Sequence, residues 1–356
     1  MALDPMVSLA SSVHAGPLMF AVLVGSGISR SAGVPSGEEV TVDLIRHLAD
    51  AQRQDAGADP IAWYREHVGG EPDYSTIVTE LARSPADRSR LLSSYFEPTP
   101  EEREEGLKIP TKAHRAIARL VAGGFVRVII TTNFDRLLEN ALSEAGVEPI
   151  VVSGPADADA AMPIMHSRCT VIKVHGDYLF SDLRNTAEEL AAYDEPMDRL
   201  LDEVFDRHGL IVCGWSAKSD VALRDAILRT RNRRFATYWL HRGSPQPEAD
   251  KVIANRGAVC IEIRDADTAM EDLCSMVQAL TDALDQRPID TAVAVARLKQ
   301  CLPDAAQHIR LHDLVIGETG TVIDQVRDLP MDTPPDRQGY RRFAFEVGVS
   351  EVRVSG

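Results

Sequence analysis

The chain lacks several things, and each lack removes a class of function. It has no apolar run near the roughly 18 residues that a membrane-crossing helix needs, so no membrane span is expected. The first residues carry Asp4 and no basic start, which makes a poor signal peptide and leads us to expect a cytoplasmic protein. Its five cysteines, Cys169, Cys213, Cys260, Cys274 and Cys301, stand far apart with no C-x-x-C pair. Neither a zinc site nor a disulfide framework is therefore expected, and buried thiols in a reducing compartment are. No G-x-x-x-x-G-K phosphate loop is present. No G-x-S-x-G nucleophile elbow is present either, because Gly214-Trp215-Ser216 lacks the second glycine.

Positive charge is also short. Lys and Arg number 38 against 54 Asp and Glu, for a net charge of −16. A field of that sign repels polyphosphate, so direct nucleic-acid binding is not expected. One local exception is Arg229, Arg231, Arg233 and Arg234, which follow a helical stretch. They read either as cations complementing a helix C-terminus or as a docking or phosphate patch. The acidic run 101–105 reads as a solvated face.

What is present is an ordinary globular composition, with 44% hydrophobic and 26% charged residues. The length allows one large or two ordinary domains. An apolar run at 18–24 ends in a small-residue turn. Helical spacing follows at Val40, Leu44, Ile45 and Leu48. Residues 51–110 show no clear strand and read as a helical insertion, a lid by one reading. A helix at 113–122 is stopped by Gly123 and Gly124. Apolar, β-branched strands then alternate with helices: strands at 125–130, 149–152, 169–174, 210–213, 236–240 and 258–263, helices at 136–145, 187–205, 220–231, 248–256 and 268–284. That alternation predicts an α/β fold, a Rossmann-like doubly wound parallel sheet with helices on both faces. We expect one domain over 17–284, with its insertion at 51–110, and a C-terminal appendage or the start of a further domain over 285–356. The latter is marked by Pro330, Pro334 and Pro335 and by β-like runs at 343–347 and 351–354.

Three segments carry candidate chemistry, and all fall at strand C-termini, the edge where open α/β sheets bind ligands. The first is the turn Gly25-Ser26-Gly27-Ile28-Ser29, continuing to Ala32-Gly33-Val34-Pro35. It reads as a nucleotide-binding turn or as a plain strand-to-helix turn; position 30 is Arg where the dinucleotide fingerprint needs glycine. The second is Asn133 with Asp135. An amide could hold a carboxamide such as that of nicotinamide, and either residue could instead cap the next helix. The third is His175 before Gly176, which could orient or deprotonate a ribose hydroxyl, or serve structure alone. His114, near a helix start, reads as a cap or packing residue.

Together these segments resemble the sirtuin superfamily. Gly25-Ser26-Gly27-Ile28-Ser29 with Ala32-Gly33-Val34-Pro35 is similar to its Gly-Ala-Gly-Ile-Ser…Ser-Gly-Ile-Pro signature. Thr131-Thr132-Asn133-Phe134-Asp135 resembles its Thr-Gln-Asn-Ile-Asp, His175-Gly176 its catalytic His-Gly, and Gly214-Trp215-Ser216 its Gly-Thr-Ser segment. The chain departs from the sirtuin deacylases in lacking their zinc-holding C-x-x-C pairs and in having Ser36-Gly37-Glu38 where they have Asp-Phe-Arg. It also lacks a recognisable acyl-lysine-binding strand after His175. These departures resemble the bacterial sirtuin-like branch of antiphage defence.

The resemblance implies hydrolysis of NAD to nicotinamide and ADP-ribose without a metal. It implies that Gly25, Ser26, Gly27, Ser29, Gly33, Pro35, Gly214 and Ser216 bind the dinucleotide. Asp135 would contact the carboxamide, Asn133 would position water or the ribose, and His175 would act on a ribose hydroxyl. It further implies a homo-oligomer or a complex with a sensor or activator, such as an Argonaute-like, ATPase or nucleotide-sensing module. Two other readings stand beside it: a non-catalytic NAD or ADP-ribose sensor, and a zinc-free deacylase or ADP-ribosyltransferase. A hydride-transferring dehydrogenase is set aside by Arg30.

Overall fold

The structure is a computed structural model that describes residues 4–72, 74–160, 164–178, 192–218, 220–230 and 234–285, with a few positions between 312 and 323. Arg231, Arg233, Cys301, the start of the helix expected from 187, and the proline-rich and β-like runs of the tail lie outside these residues. The chain divides into two compact units, Met1–Gln278 and Ala279–Gly356. Every strand among the described residues belongs to the first unit.

The centre of that unit is a seven-stranded parallel sheet in the order β3-β4-β2-β1-β5-β6-β7. The strands are β1 (Phe20–Val24), β2 (Val126–Thr131), β3 (Ile150–Val152), β4 (Thr170–Lys173), β5 (Gly209–Cys213), β6 (Thr237–His241) and β7 (Val259–Glu262). β1 and β5 are buried at every position. A strand covered by helices on both faces has no solvent side, so its sequence is a continuous apolar run rather than an alternation. From β1 the chain adds β2 on one side, places β3 at that edge and inserts β4 between them, then returns to lay β5 on the other side of β1. Strand order therefore reverses beside β1, and such a reversal opens a crevice at the strand C-termini.

The register sharpens this. Val24 pairs with Thr131 and with Cys213, and Thr131 pairs with Lys173. The last residues of β4, β2, β1 and β5 thus lie in one row across four neighbouring strands. The loops that leave them start level with one another.

A second core belongs to the helical stretch. The helix Gly37–Ala51 is started by a Ser36/Glu39 capping box and buries Val40, Leu44, Ile45 and Leu48, the stripe expected from spacing. Helices Pro60–His67, Pro85–Phe96 and Pro100–Glu104 each begin with a capping side chain followed by proline: Asp59, Ser84 and Thr99 each accept the amide three residues on. With Tyr74–Leu81 they make the insertion helical, as expected. Apart from Pro100–Glu104, which buries no residue, their apolar faces pack together and onto Phe134 and Tyr178, which stand on the loops after β2 and β4.

The helix Pro5–Ala15 was not foreseen. Asp4 caps it, and Ser12 Oγ lies 2.9 Å from the Tyr238 hydroxyl of β6. Arg229 lies 2.7 Å from Asp198 and 2.6 Å from Asp202 on the helix Glu195–Arg207, so its charge is matched within the fold. In the acidic run, Glu101, Glu104 and Glu105 are exposed, while Glu102 pairs with Lys108 at 2.8 Å. No helix among the described residues is long and apolar enough to cross a membrane.

Candidate active site

The glycine turn after β1 does not run straight into a helix. It makes two short 3-10 turns, Ser26–Ile28 and Arg30–Ala32, before the helix at Gly37. The amides of Gly27, Ile28 and Ser29 go to the carbonyls of Gly214, Gly25 and Ser26 at 3.0–3.2 Å, and that of Gly25 to Cys213 at 3.4 Å. The reason for glycine here is steric. A Cβ on Gly25 would sit 2.7 Å from Gly214 O, and one on Gly27 would sit 2.6 Å from Gly214 Cα. Gly214 itself has φ +70°, which an L side chain rarely adopts, and its own Cβ would meet Ile28 N at 2.8 Å. The turns after β1 and β5 are therefore pressed backbone to backbone. Ser26 on the one and Ser216 on the other are exposed. Gly33 closes the second 3-10 turn in the left-handed region, and Pro35 leads into the capping box. Both shape the path of the loop.

Ser29 joins this turn to the loop after β2. Its hydroxyl donates to Asp135 Oδ2 at 2.9 Å and accepts from Asn133 Nδ2 at 3.1 Å, with His114 Nε2 at 3.4 Å. Burial holds the His114 imidazole down at about 4, against the opposing pull of Asp135 and Asp267. At neutral pH the ring is uncharged. Its Nδ1 accepts the Thr111 amide at 3.2 Å, so its single proton sits on Nε2, facing Ser29. Asp135 Oδ1 accepts the Leu137 amide at 3.0 Å; the N-cap position of the helix Leu137–Glu144 is Arg136, one residue later, so Asp135 braces the approach to the helix rather than capping it. Asn133 is 7% exposed, and its Oδ1 is buried without a hydrogen-bond partner. A buried amide oxygen left without a donor costs stability, and it suits a ligand hydroxyl or water that supplies one.

Beneath these loops lies Lys173, the last residue of β4 and fully buried. Its Nζ donates to Phe134 O (3.1 Å), Asp135 O (2.8 Å), Glu139 Oε1 (3.1 Å) and Asp177 Oδ2 (3.2 Å). One ammonium thus ties the loop carrying Asn133 to the loop carrying His175. Arg136 Nε stands 3.7 Å from both carboxylates. Burial pushes the Glu139 carboxyl up, and Lys173 only partly offsets it.

His175 follows on a turn made by Gly176 at φ +87°. Its ring is 6.2 Å from that of Phe134. Its Nε2 lies 2.7 Å from Asp220 Oδ1, an ion-pair distance, off the line of a hydrogen bond. Asp220 Oδ2 accepts the Trp215 indole N–H at 2.5 Å. Burial pushes Asp220 up, but His175, Trp215 and Arg224 together outweigh it and leave the carboxyl below its usual range. The loop between Gly214 and Asp220 includes Ala217 at φ +59°, an uncommon backbone for a non-glycine residue, and Arg224 bonds the carbonyls of Ala217 and Lys218.

The contacts close on themselves. Gly27 touches Gly214, Trp215 holds Asp220, Asp220 meets His175, His175 lies against Phe134, and Asn133 bonds Ser29 two residues from Gly27. Gly25, Ser26, Gly27, Ser29, Asn133, Asp135, His175, Gly214 and Ser216 all stand on this circuit of four loops. Lys173, Glu139, Asp177, Trp215 and Asp220 were not singled out from sequence. A lysine inside an apolar strand was the available signal for the first. No group of metal-ligating residues occurs among the described residues.

Residues 127–261 match the family model described as a SIR2-like domain. No curated protein matches the chain. The solved structures that resemble it include one described under the mechanism and regulation of Sir2 enzymes, with 17% identity, 79% of this chain and 100% of that one covered, and a TM-score of 0.43. A Sir2 homologue in complex with ADP-ribose has 15% identity, 77% and 97% coverage and a TM-score of 0.42. A Sir2 homologue in complex with NAD has 16% identity, 78% and 95% coverage and a TM-score of 0.41.

Proposed function

We propose that this chain, which carries a SIR2-like domain, hydrolyses NAD to nicotinamide and ADP-ribose as an effector of bacterial antiphage defence. The reading is carried by one observation above the others. The buried, unpartnered Asn133 Oδ1 and the His175–Asp220 pair stand on the same circuit of loops, at the reversal of strand order. That combination offers an acceptor for a hydroxyl and a base for its proton, beside a turn with exposed serines.

In this mechanism Ser26 and Ser216 offer polar groups to the diphosphate from the paired turns. Asp135, each of whose oxygens accepts one bond within the fold, keeps further lone pairs for the carboxamide N–H groups. The bond between the nicotinamide nitrogen and the ribose carbon breaks. Its electron pair returns to the pyridine nitrogen and cancels that nitrogen's charge. A water oxygen, placed by Asn133, bonds to the ribose carbon. His175 orients the ribose hydroxyl or takes the proton that the water releases. Products are nicotinamide, ADP-ribose and one proton. NAD is a substrate here, and a resident metal forms no part of the proposal.

An enzyme that destroys NAD must be silent until needed, so the proposal includes an activating partner or a homo-oligomer. The test is nicotinamide release from NAD by the purified full chain, alone and with lysate from infected cells. Release in either arm supports the proposal. Binding of NAD without turnover in both arms favours a sensor module, and release that requires an acylated peptide favours a deacylase.

A further inference from the structure

The residue Asp220 sits at the N-terminus of the helix Val221–Arg229, where an aspartate ordinarily turns its carboxylate onto the helix's own first amides. Here it makes no such cap. One oxygen takes the Trp215 indole N–H and the other faces His175 Nε2 at 2.7 Å. Trp215 is in turn wedged against Trp239, with ring centroids 5.7 Å apart. The Asp220 side chain is 9% exposed, and Arg224 pins the loop that leads into it by bonding the carbonyls of Ala217 and Lys218. Burying a carboxylate is costly without partners. This one gives up its capping bond to face an imidazole on another strand's loop.

We infer that Asp220 is the positioning residue of His175: it holds the proton on Nε2, leaves Nδ1 as the ring nitrogen that meets the ribose, and stabilises the imidazolium formed when His175 takes a proton. The inference rests on the function proposed above. It adds the residue through which the histidine acts. A carboxylate behind an imidazole fixes tautomer and orientation without touching substrate. Imperfect alignment is common in such pairs before substrate binds. Trp215 then serves as the second anchor, because it fixes the carboxylate that fixes the ring.

The experiment uses the full chain with nitrogen-15 in its histidines, and reads the imidazole nitrogens by two-bond proton–nitrogen correlation. The His175 signals are assigned by their loss in His175→Ala. In the unsubstituted chain, Nε2 is expected to be protonated and Nδ1 not. In Asp220→Asn, the His175 nitrogens are expected to move toward mixed tautomers. The same variant is expected to keep cooperative unfolding and to bind NAD within about threefold, while kcat falls on the order of 10²–10⁴. Trp215→Phe approaches the carboxylate from its other side and should move the same signals by less. His175 signals unchanged in Asp220→Asn overturn the inference. If that variant does not fold, unchanged signals in Trp215→Phe overturn it. Shifted His175 signals in a chain that never releases nicotinamide uphold the pair and overturn the hydrolase.

Discussion

Replacing Lys173 with methionine tests the joint beneath the site most directly. Methionine keeps most of the volume, so the loss is chiefly of charge rather than of packing. The substitution leaves four acceptors, which the three N–H groups of the ammonium share, without their donor: the carbonyls of Phe134 and Asp135 and the carboxylates of Glu139 and Asp177. Breaking a buried ion pair by deleting one partner costs about 3–5 kcal/mol. Arg136, 3.7 Å from each carboxylate, supplies partial compensation and argues for the lower end. A loss of about 3 kcal/mol is a large share of the roughly 5–15 kcal/mol that holds a domain folded. It corresponds to a fall of about 6–12 °C in the melting midpoint for a domain near this size.

The pH dependence gives a sharper signature. Burial already raises the folded-state value of Glu139, and losing Lys173 raises it further. A group raised in the folded state adds stability fully below its unfolded value and loses it as pH rises through its folded value. The stability gap between the two chains must therefore be wider at pH 8 than at pH 5. Urea denaturation at both values reads it. A gap equal at the two pH values, or below about 1 kcal/mol at pH 8, would refute the account of Lys173 as a charge staple.

Three further outcomes are expected. His175→Ala and Asn133→Ala should each lower nicotinamide release by about 10²–10⁴ while leaving thermal unfolding near that of the parent; parent-like turnover in both rejects their assigned roles. Gly27→Ala places a Cβ 2.6 Å from Gly214 Cα, so the turns after β1 and β5 must part, at a cost of about 1–3 kcal/mol; an unchanged melting midpoint shows that the turns are not packed as described. His114, held near 4 by burial, contributes stability present above its unfolded value near 6.5 and lost as pH falls toward 4, about 3 kcal/mol in all. Denaturation from pH 7 to pH 4 in His114→Asn should lack that decline, and an identical decline in both chains counts against it.

Much of the fold was legible because strands buried on both faces carry unbroken apolar runs, and the glycines, capping residues and prolines punctuate them. The spacing of Val40, Leu44, Ile45 and Leu48 marks one helix face, and all four are buried. The helix Pro5–Ala15 escaped because its buried face is only Leu9, Ala10 and Val13 among small polar residues, too thin a stripe to stand out. Lys173 was read as part of an apolar strand. What satisfies it lies 34 to 39 residues back and on the next turn, and no local pattern announces such partners. Asp220 was hidden for the same reason: its chemistry depends on an imidazole that another strand delivers. The glycine turn shows the converse. Its glycines suggest room to admit a ligand, whereas much of the need for glycine comes from the turn they press against.

The level row formed by Val24, Thr131, Lys173 and Cys213 explains why so few side chains assemble the circuit. Parallel strands that end together release their loops into a shared space, so short loops suffice to bring Ser29, Asn133, His175 and Asp220 near one another. Such loops have little apolar surface of their own to hold them. The chain holds them from below by charge, through Lys173, and from the side by the aromatic face of the helical stretch, through Phe134 and Tyr178. The loops after β2 and β4 are thereby fixed relative to each other as well as to the sheet. A change at Lys173 must reach Asn133 and His175 together, and a change at Trp215 must reach His175 through Asp220 while leaving Asn133 undisturbed.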